Sequence, residues 1–248
     1  MRKTLACSIL LVSAFLRAIT SSAQTSASDS LFRTAGVEYL VSLYHTATGT
    51  SSNLYNGTQY EQIFPLFEKG THQFFQSNEF TNGTLVYGGT EYTDAPLLYD
   101  VLKDELIVRH PEHSSWISLA KDKVDKFTLH SYNFTRLKKG NELKLPEGFY
   151  ARLYSGGISL LAKYQKLKQE VITGSSVFSK VLPKTSYFIV KDGQVHLVKN
   201  RKGLLKLLGD KRGQLSQYIR KQKLNFRKEP EAAMVQVVSF YDQLSNER

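Results

Sequence analysis

Cysteine is nearly missing from this chain of 248 residues: the only one, Cys7, lies near the start. If the first residues are removed on export, no thiol remains, which excludes disulfides, thiolate metal sites and a cysteine nucleophile together. Beyond the first residues there is no apolar run of the ~20 residues that a membrane-spanning helix needs. Sequence patterns tied to chemistry are missing too. There is no G-x-S-x-G elbow, no phosphate-binding G-x-x-x-x-G-K-[ST] loop and no H-E-x-x-H pair. No internal repeat occurs at a fixed period.

What is present at the start reads as a targeting segment. Arg2 and Lys3 form a charged opening, Leu5 to Leu16 is mostly apolar, and Ser21-Ser22-Ala23 offers the small residues of a cleavage site. The expectation is a signal peptide over 1–23, export, and a mature chain beginning near Gln24. Thr4-Leu5-Ala6-Cys7 has the outline of a lipid-attachment site, but almost no apolar run precedes the cysteine. Export without disulfides is commoner in bacteria than among secreted proteins of higher cells. The expected location is therefore periplasmic or outer-envelope associated.

The formal net charge is +11, and it is unevenly placed. Arg2, Lys3 and Arg17 leave with the leader. Between Lys191 and Lys228 twelve lysines and arginines face two acids, Asp192 and Asp210, so this window alone carries more positive charge than the whole mature chain. Basicity belongs to one region.

The centre, Asn82 to Leu137, alternates short apolar or aromatic runs with turn residues, as consecutive antiparallel strands do. Leu31 to Tyr44 places Val37, Leu40, Val41 and Tyr44 at helical offsets, which predicts an N-terminal helix. Strands are predicted from His72, with a hairpin turn at Asn82-Gly83 and another at Asp192-Gly193. Leu97 to Leu102 is apolar on both faces, which implies a second layer over that strand. Lys166 to Gly174 is polar and poorly patterned, fitting a strand extension or a lid. Leu204, Leu205, Leu207 and Leu208 predict a short helix, Asp210 is placed to cap the next, and Leu215, Tyr218, Ile219 and Leu224 form that helix's stripe. Pro230 opens a last helix with apolar residues at Ala233, Met234, Val237, Val238, Tyr241 and Leu244. The fold class is α+β: a curved antiparallel meander with an N-terminal helix and C-terminal helices packed on one face or end. The expected segments are a leader and helix over 24–70, a β domain over 71–200 and a basic helical segment over 201–248.

Candidate binding residues are Lys202, Lys206, Lys211, Arg212, Arg220, Lys221, Lys223, Arg227 and Lys228, clustered around an amphipathic helix pair. Such a surface attracts anionic lipid headgroups, acidic glycans or acidic proteins, so a membrane surface is among its partners. Nucleic acid would suit the charge but not an exported chain. Tyr218 and Phe226 fall on apolar positions and read as core rather than as stacking platforms. His110 and His113 flank Pro111 without a third ligand, so no metal and no cofactor are expected. Asp100, Asp104, Glu105, Asp122 and Asp125 lie in or beside strands, where an acid pair for glycoside hydrolysis is conceivable and turn roles explain each one.

At Leu98-Tyr99-Asp100-Val101, Gly148-Phe149-Tyr150 and Phe188 to Gly193 the chain resembles uncharacterised exported proteins of Gram-negative bacteria. That resemblance implies export and carries no activity or functional residues. The leading expectation is a non-catalytic envelope protein that binds an anionic partner through the basic helical region. The alternatives are a carrier of an apolar ligand between sheet and helices, and a hydrolase using the sheet carboxylates.

Overall fold

The computed structural model describes residues 36, 37, 39, 40, 53–61, 70–112, 114–173 and 176–246. The chain divides into two compact units, Met1–Gly49 and Thr50–Arg248. In the first, Gly36, Val37, Tyr39 and Leu40 are helical and exposed. The rest of the expected N-terminal helix, and the leader, lie outside the described residues.

The second unit is mostly antiparallel sheet, broadly α+β. Its strands are β1 (Thr58–Gln59), β2 (Thr81–Tyr87), β3 (Thr90–Asp100), β4 (Glu105–Arg109), β5 (Trp116–Ser118), β6 (Val124–Leu129), β7 (Tyr132–Leu137), β8 (Gly148–Ser155), β9 (Ser159–Thr173), β10 (Ser176–Lys191) and β11 (Gln194–Val198). The strand order is β1-β5-β4-β3-β2-β6-β7-β8-β9-β10-β11. Everything from β6 onward is a plain meander. The link from β5 to β6 instead crosses the end of the sheet, held by the Leu119 N–H to Leu106 O and by the Gly88 N–H to Lys123 O.

The sheet is strongly curved. Tyr99 in β3 and Phe149 in β8 have ring centroids 5.8 Å apart, although three strands lie between theirs. In a flat sheet four strand spacings would separate them by roughly 19 Å. At one end the Lys166 N–H of β9 reaches back to Val101 O beyond β3. The volume so enclosed is filled by Leu85, Leu97, Tyr99, Phe127, Phe134 and Phe149, all essentially inaccessible.

Both faces of β3 are indeed covered. Leu97 and Tyr99 join the enclosed core, while Leu98 packs on the outer face with Tyr60, Phe74 and Ile107. Asp100, fully buried, holds that outer layer. It accepts from Tyr60 Oη at 2.6 Å and from the backbone N–H groups of Leu102 and Lys103.

Three C-terminal helices belong to the same unit: α1 (Arg201–Leu207), α2 (Arg212–Lys221) and α3 (Pro230–Asn246). Their apolar stripes share a core with Leu160, Ala162, Tyr187, Ile189 and Val198 of β9 to β11. α3 is fixed near both ends by carboxylates. Glu231 accepts from Tyr132 Oη at 2.7 Å and from Tyr164 Oη, and Asp242 accepts from Tyr154 Oη at 2.9 Å and the Gly157 N–H at 3.1 Å.

Several expectations are corrected. Asn82-Gly83 is no turn: both residues lie inside β2, at a bulge between Gly83 and Leu85. Glycine is needed there because a Cβ would collide with Thr128 O of β6. The hairpin turns at Gly88 and Gly89, both at positive φ (58° and 80°). His72 to Gln76 makes only an isolated bridge, Phe74 to Asp100. Sheet pairing also starts earlier than 71, at β1. Asp210 does not cap α2, whose N-cap is Lys211 without a side-chain bond. It instead meets Lys191 Nζ at 3.6 Å and accepts from Tyr241 Oη. Of the two expectations for Lys166 to Gly174, the strand extension is the one seen: Lys166 to Thr173 pairs throughout with β10.

If Gly83 serves close approach rather than a turn, Gly83→Ala should destabilise by about 2 kcal/mol through overpacking. Exposed Asn82→Ala should change stability by less than about 0.5 kcal/mol. Urea unfolding of both variants checks this; a large loss at Asn82 would restore the turn role.

Candidate functional site

The proposed carboxylate pair does not assemble as a reaction centre. Asp100 is enclosed and bonded to the turn that follows it. Asp104, at φ 61°, accepts from Tyr99 Oη at 2.7 Å and pairs with Lys121 Nζ at 2.5 Å. Glu105 accepts from Ser118 Oγ, and Asp122 and Asp125 are exposed. Near Asp104, burial lowers the pKa of Lys163, whose Nζ donates to Glu147 O and lies 4.9 Å from the Tyr150 ring centroid. Burial pushes the Tyr150 phenol up to about 12, and it donates to Pro146 O. Asp104, Lys163 and Tyr150 each already have a protein partner.

His110 Nδ1 accepts from the Glu112 N–H, and the ring tilts against Tyr55 at 5.2 Å. His113 lies outside the described residues. Among the described residues, no three His, Cys, Asp or Glu side chains converge as a metal site, and no helix is long and apolar enough to cross a membrane.

The basic end is different. Eight of the nine candidates, Lys202, Lys206, Arg212, Arg220, Lys221, Lys223, Arg227 and Lys228, are exposed, and Lys211 is half-buried. None of them forms an ion pair among the described residues. Helical offsets put Lys202 and Lys206 on one face of α1. The structure gathers Arg220, Lys223 and Arg227 with Arg201 around a hollow of about 520 Å³. Lys202, Lys206, Lys211, Arg212, Lys221 and Lys228 stand outside it.

A larger hollow of about 770 Å³ adjoins the first, sharing Arg201, Phe226 and Arg227. It lies between the β10–β11 margin and the start of α3. Its lining includes Tyr187, Leu197, Val198 and Met234, with Lys184 and Lys199 as further cations. Neither hollow is lined by a carboxylate. Leu197 is 52% exposed and pairs with Phe188, on the face of β11 opposite Tyr187 and Val198.

Local chain geometry sets this arrangement. Asn200 caps α1, its Oδ1 accepting from the Gly203 N–H at 2.9 Å, which fixes the start of α1 where Arg201 lies. Asn225 Oδ1 accepts from the Arg227 and Lys228 N–H groups at 3.0 and 3.1 Å, so one amide shapes the loop carrying both cations. Tyr218 stacks on Phe240 at 4.1 Å, and Phe226 packs against the helical core while also facing both hollows.

Sequence reasoning passed over Lys184, Lys199 and Arg201. Lys199 and Arg201 contributed to the charge count without being singled out, and Lys184 lies in a strand well before the window. No family model, curated protein or solved structure matches the chain.

Asn225→Ala should cost about 1 kcal/mol, the worth of a lost loop hydrogen bond. Thermal unfolding measures it, and an unchanged midpoint would show that the amide does not hold the loop.

Proposed function

We propose that this is an exported, non-catalytic protein of the bacterial envelope that engages an anionic partner through its basic helical end. Export rests on the charged and apolar leader, and on the resemblance to exported proteins of Gram-negative bacteria. Binding rests on one observation above all: Arg201, Arg220, Lys223 and Arg227 line one hollow that contains no acid. Like charges held together repel one another, and an anion entering between them relieves that repulsion. Anionic headgroups, acidic glycans and acidic protein surfaces share the chemistry required.

A second reading, a carrier of an apolar ligand, draws support from the larger hollow and its apolar lining. That hollow lies at the margin of the sheet, since the volume inside the curve is packed with side chains. The hydrolase alternative finds no support in the carboxylates, which are either committed to turns and strands or exposed as single groups.

Replacing Arg220, Lys223 and Arg227 together by Gln should reduce binding to phosphatidylglycerol vesicles at low salt at least about tenfold. Replacing Lys202, Lys206 and Arg212 removes the same charge elsewhere, and should reduce it about threefold or less. Raising salt toward 0.15 M, where screening acts over about 8 Å, should weaken the wild type. Co-sedimentation reads all three effects. Equal losses in the two variants would reduce the reading to general electrostatics, and no binding to vesicles, an acidic glycan or an acidic protein would remove it.

A further inference from the structure

We infer that the far end of the β9–β10 ribbon is a membrane-docking arm, whose apolar side chains Leu167, Val171, Ile172 and Leu182 enter the interface of an anionic bilayer. This goes beyond the basic end and rests on that reading only for the sign of the surface.

From Lys166 and Pro183 outward, β9 and β10 pair as strands only with each other among the described residues: β8 joins β9 no further than Ala162, and β11 joins β10 no earlier than Tyr187. The unbroken register places Leu167 opposite Leu182, with Val171 four residues farther along the same face. Leu167 is 49% exposed, Leu182 39% and Val171 38%. On the opposite face Ser179 and Val181 are buried, but Ile172 is 76% exposed. Apolar groups therefore meet water on one face along the extension and on both faces at its far end.

Charge selects the occupant. Lys180, opposite Gln169, and Lys184, opposite Gln165, share the face of the two leucines. The acid of the extension, Glu170, lies on the other face, where its carboxylate meets Lys168 Nζ at 3.3 Å. A second copy docked by the leucine face would set lysines against lysines with no acid to meet them. A flat protein surface would cover Val171 or Ile172 but not both, since neighbouring strand residues face opposite ways. A bilayer interface surrounds side chains on either face, and lysine stems lie along it with their ammonium groups among anionic headgroups. Lys184 also lines the larger hollow beside the basic end, so the arm and the cations adjoin.

Fluorescence of Ile172→Trp, in the full chain with vesicles of phosphatidylglycerol and phosphatidylcholine, tests this. Its added emission should shift to the blue on binding and be quenched by brominated lipid. The wild type reports Trp116 alone, packed against Tyr60, Phe74 and Phe80, and should show neither change. Val171→Thr and Ile172→Thr together keep the β-branched shape, and should weaken vesicle binding at least about tenfold with little change in thermal midpoint. Pure phosphatidylcholine should bind at least about tenfold more weakly than the anionic mixture. Unchanged affinity of the threonine variant, or no blue shift from position 172, would overturn the inference. A blue shift that grows with protein concentration without lipid would assign the face to a second copy, and overturn it too. The basic end is judged apart. Binding that the threonine variant retains, and that substitution of Arg220, Lys223 and Arg227 abolishes, removes the arm and leaves the anionic-surface reading standing. No binding of the wild type to vesicles also removes the arm, and leaves the basic end to an acidic glycan or protein.

Discussion

The bond between Tyr99 and Asp104 ties the aromatic interior of the curved sheet to the β3–β4 turn. Tyr99 is fully buried, and its ring touches Phe75, Phe127, Phe134 and Phe149, which come from β6, β7, β8 and the segment before β2. A phenol so deep needs a partner for its O–H, since an unpaired buried hydroxyl costs about 1–3 kcal/mol. Asp104 supplies it at 2.7 Å, and burial with the nearby carboxylate holds the phenol well above its ordinary pKa. The same carboxylate takes Lys121, from the link that crosses between β5 and β6. One acid thus ties the β3–β4 turn, the aromatic interior and the crossing connection. A carboxylate with this many structural partners is poorly placed to move protons for a substrate.

Gly148 shows how tightly that end is packed. At φ 144° it lies where a Cβ would strike both the Asp104 carboxylate and Lys163 Nζ. Lys163 in turn donates to Glu147 O, beside the Tyr150 ring. The polar groups at this end plug the curve. Functional readings are pushed to the opposite margin, where the helices meet β10 and β11 and leave space.

Much of the sheet was legible because its signals are local. Phe127 and Leu129 alternate with Lys126 and Thr128, and burial follows that alternation in β6. Asp192 and Gly193 both adopt positive φ, 52° and 72°, as their hairpin required. What failed was non-local. Gly83 has the same sequence signature as a turn, but Thr128 O, over forty residues away in sequence, dictates it. Asp210 precedes a helix as a cap would, but Lys191 and Tyr241 meet its carboxylate. The site was legible as charge and not as shape. Arg220, Lys223 and Arg227 stood out by density, whereas Lys184 reaches the groove because β10 runs past the margin beside α3.

The decisive question for the basic end is why most of its charge has no paired acid among the described residues. A helical segment with many lysines usually places glutamates or aspartates beside them, and the surface is then merely solvated. Here three acids of the segment bond to the fold, while Glu229, beside Arg227 and Lys228, is exposed. Glu231 holds Tyr132 and Tyr164, Asp242 holds Tyr154 and the Gly157 N–H, and Asp210 meets Tyr241 and Lys191. Carboxylates bonded to phenols and backbone amides anchor α3 to the sheet with fixed direction, which an apolar stripe alone does not provide. Docking the helix and withholding two carboxylates from the cations are therefore one arrangement. Glu231 and Asp242, which secure the helix, are thereby committed to phenols and a backbone amide rather than to cations.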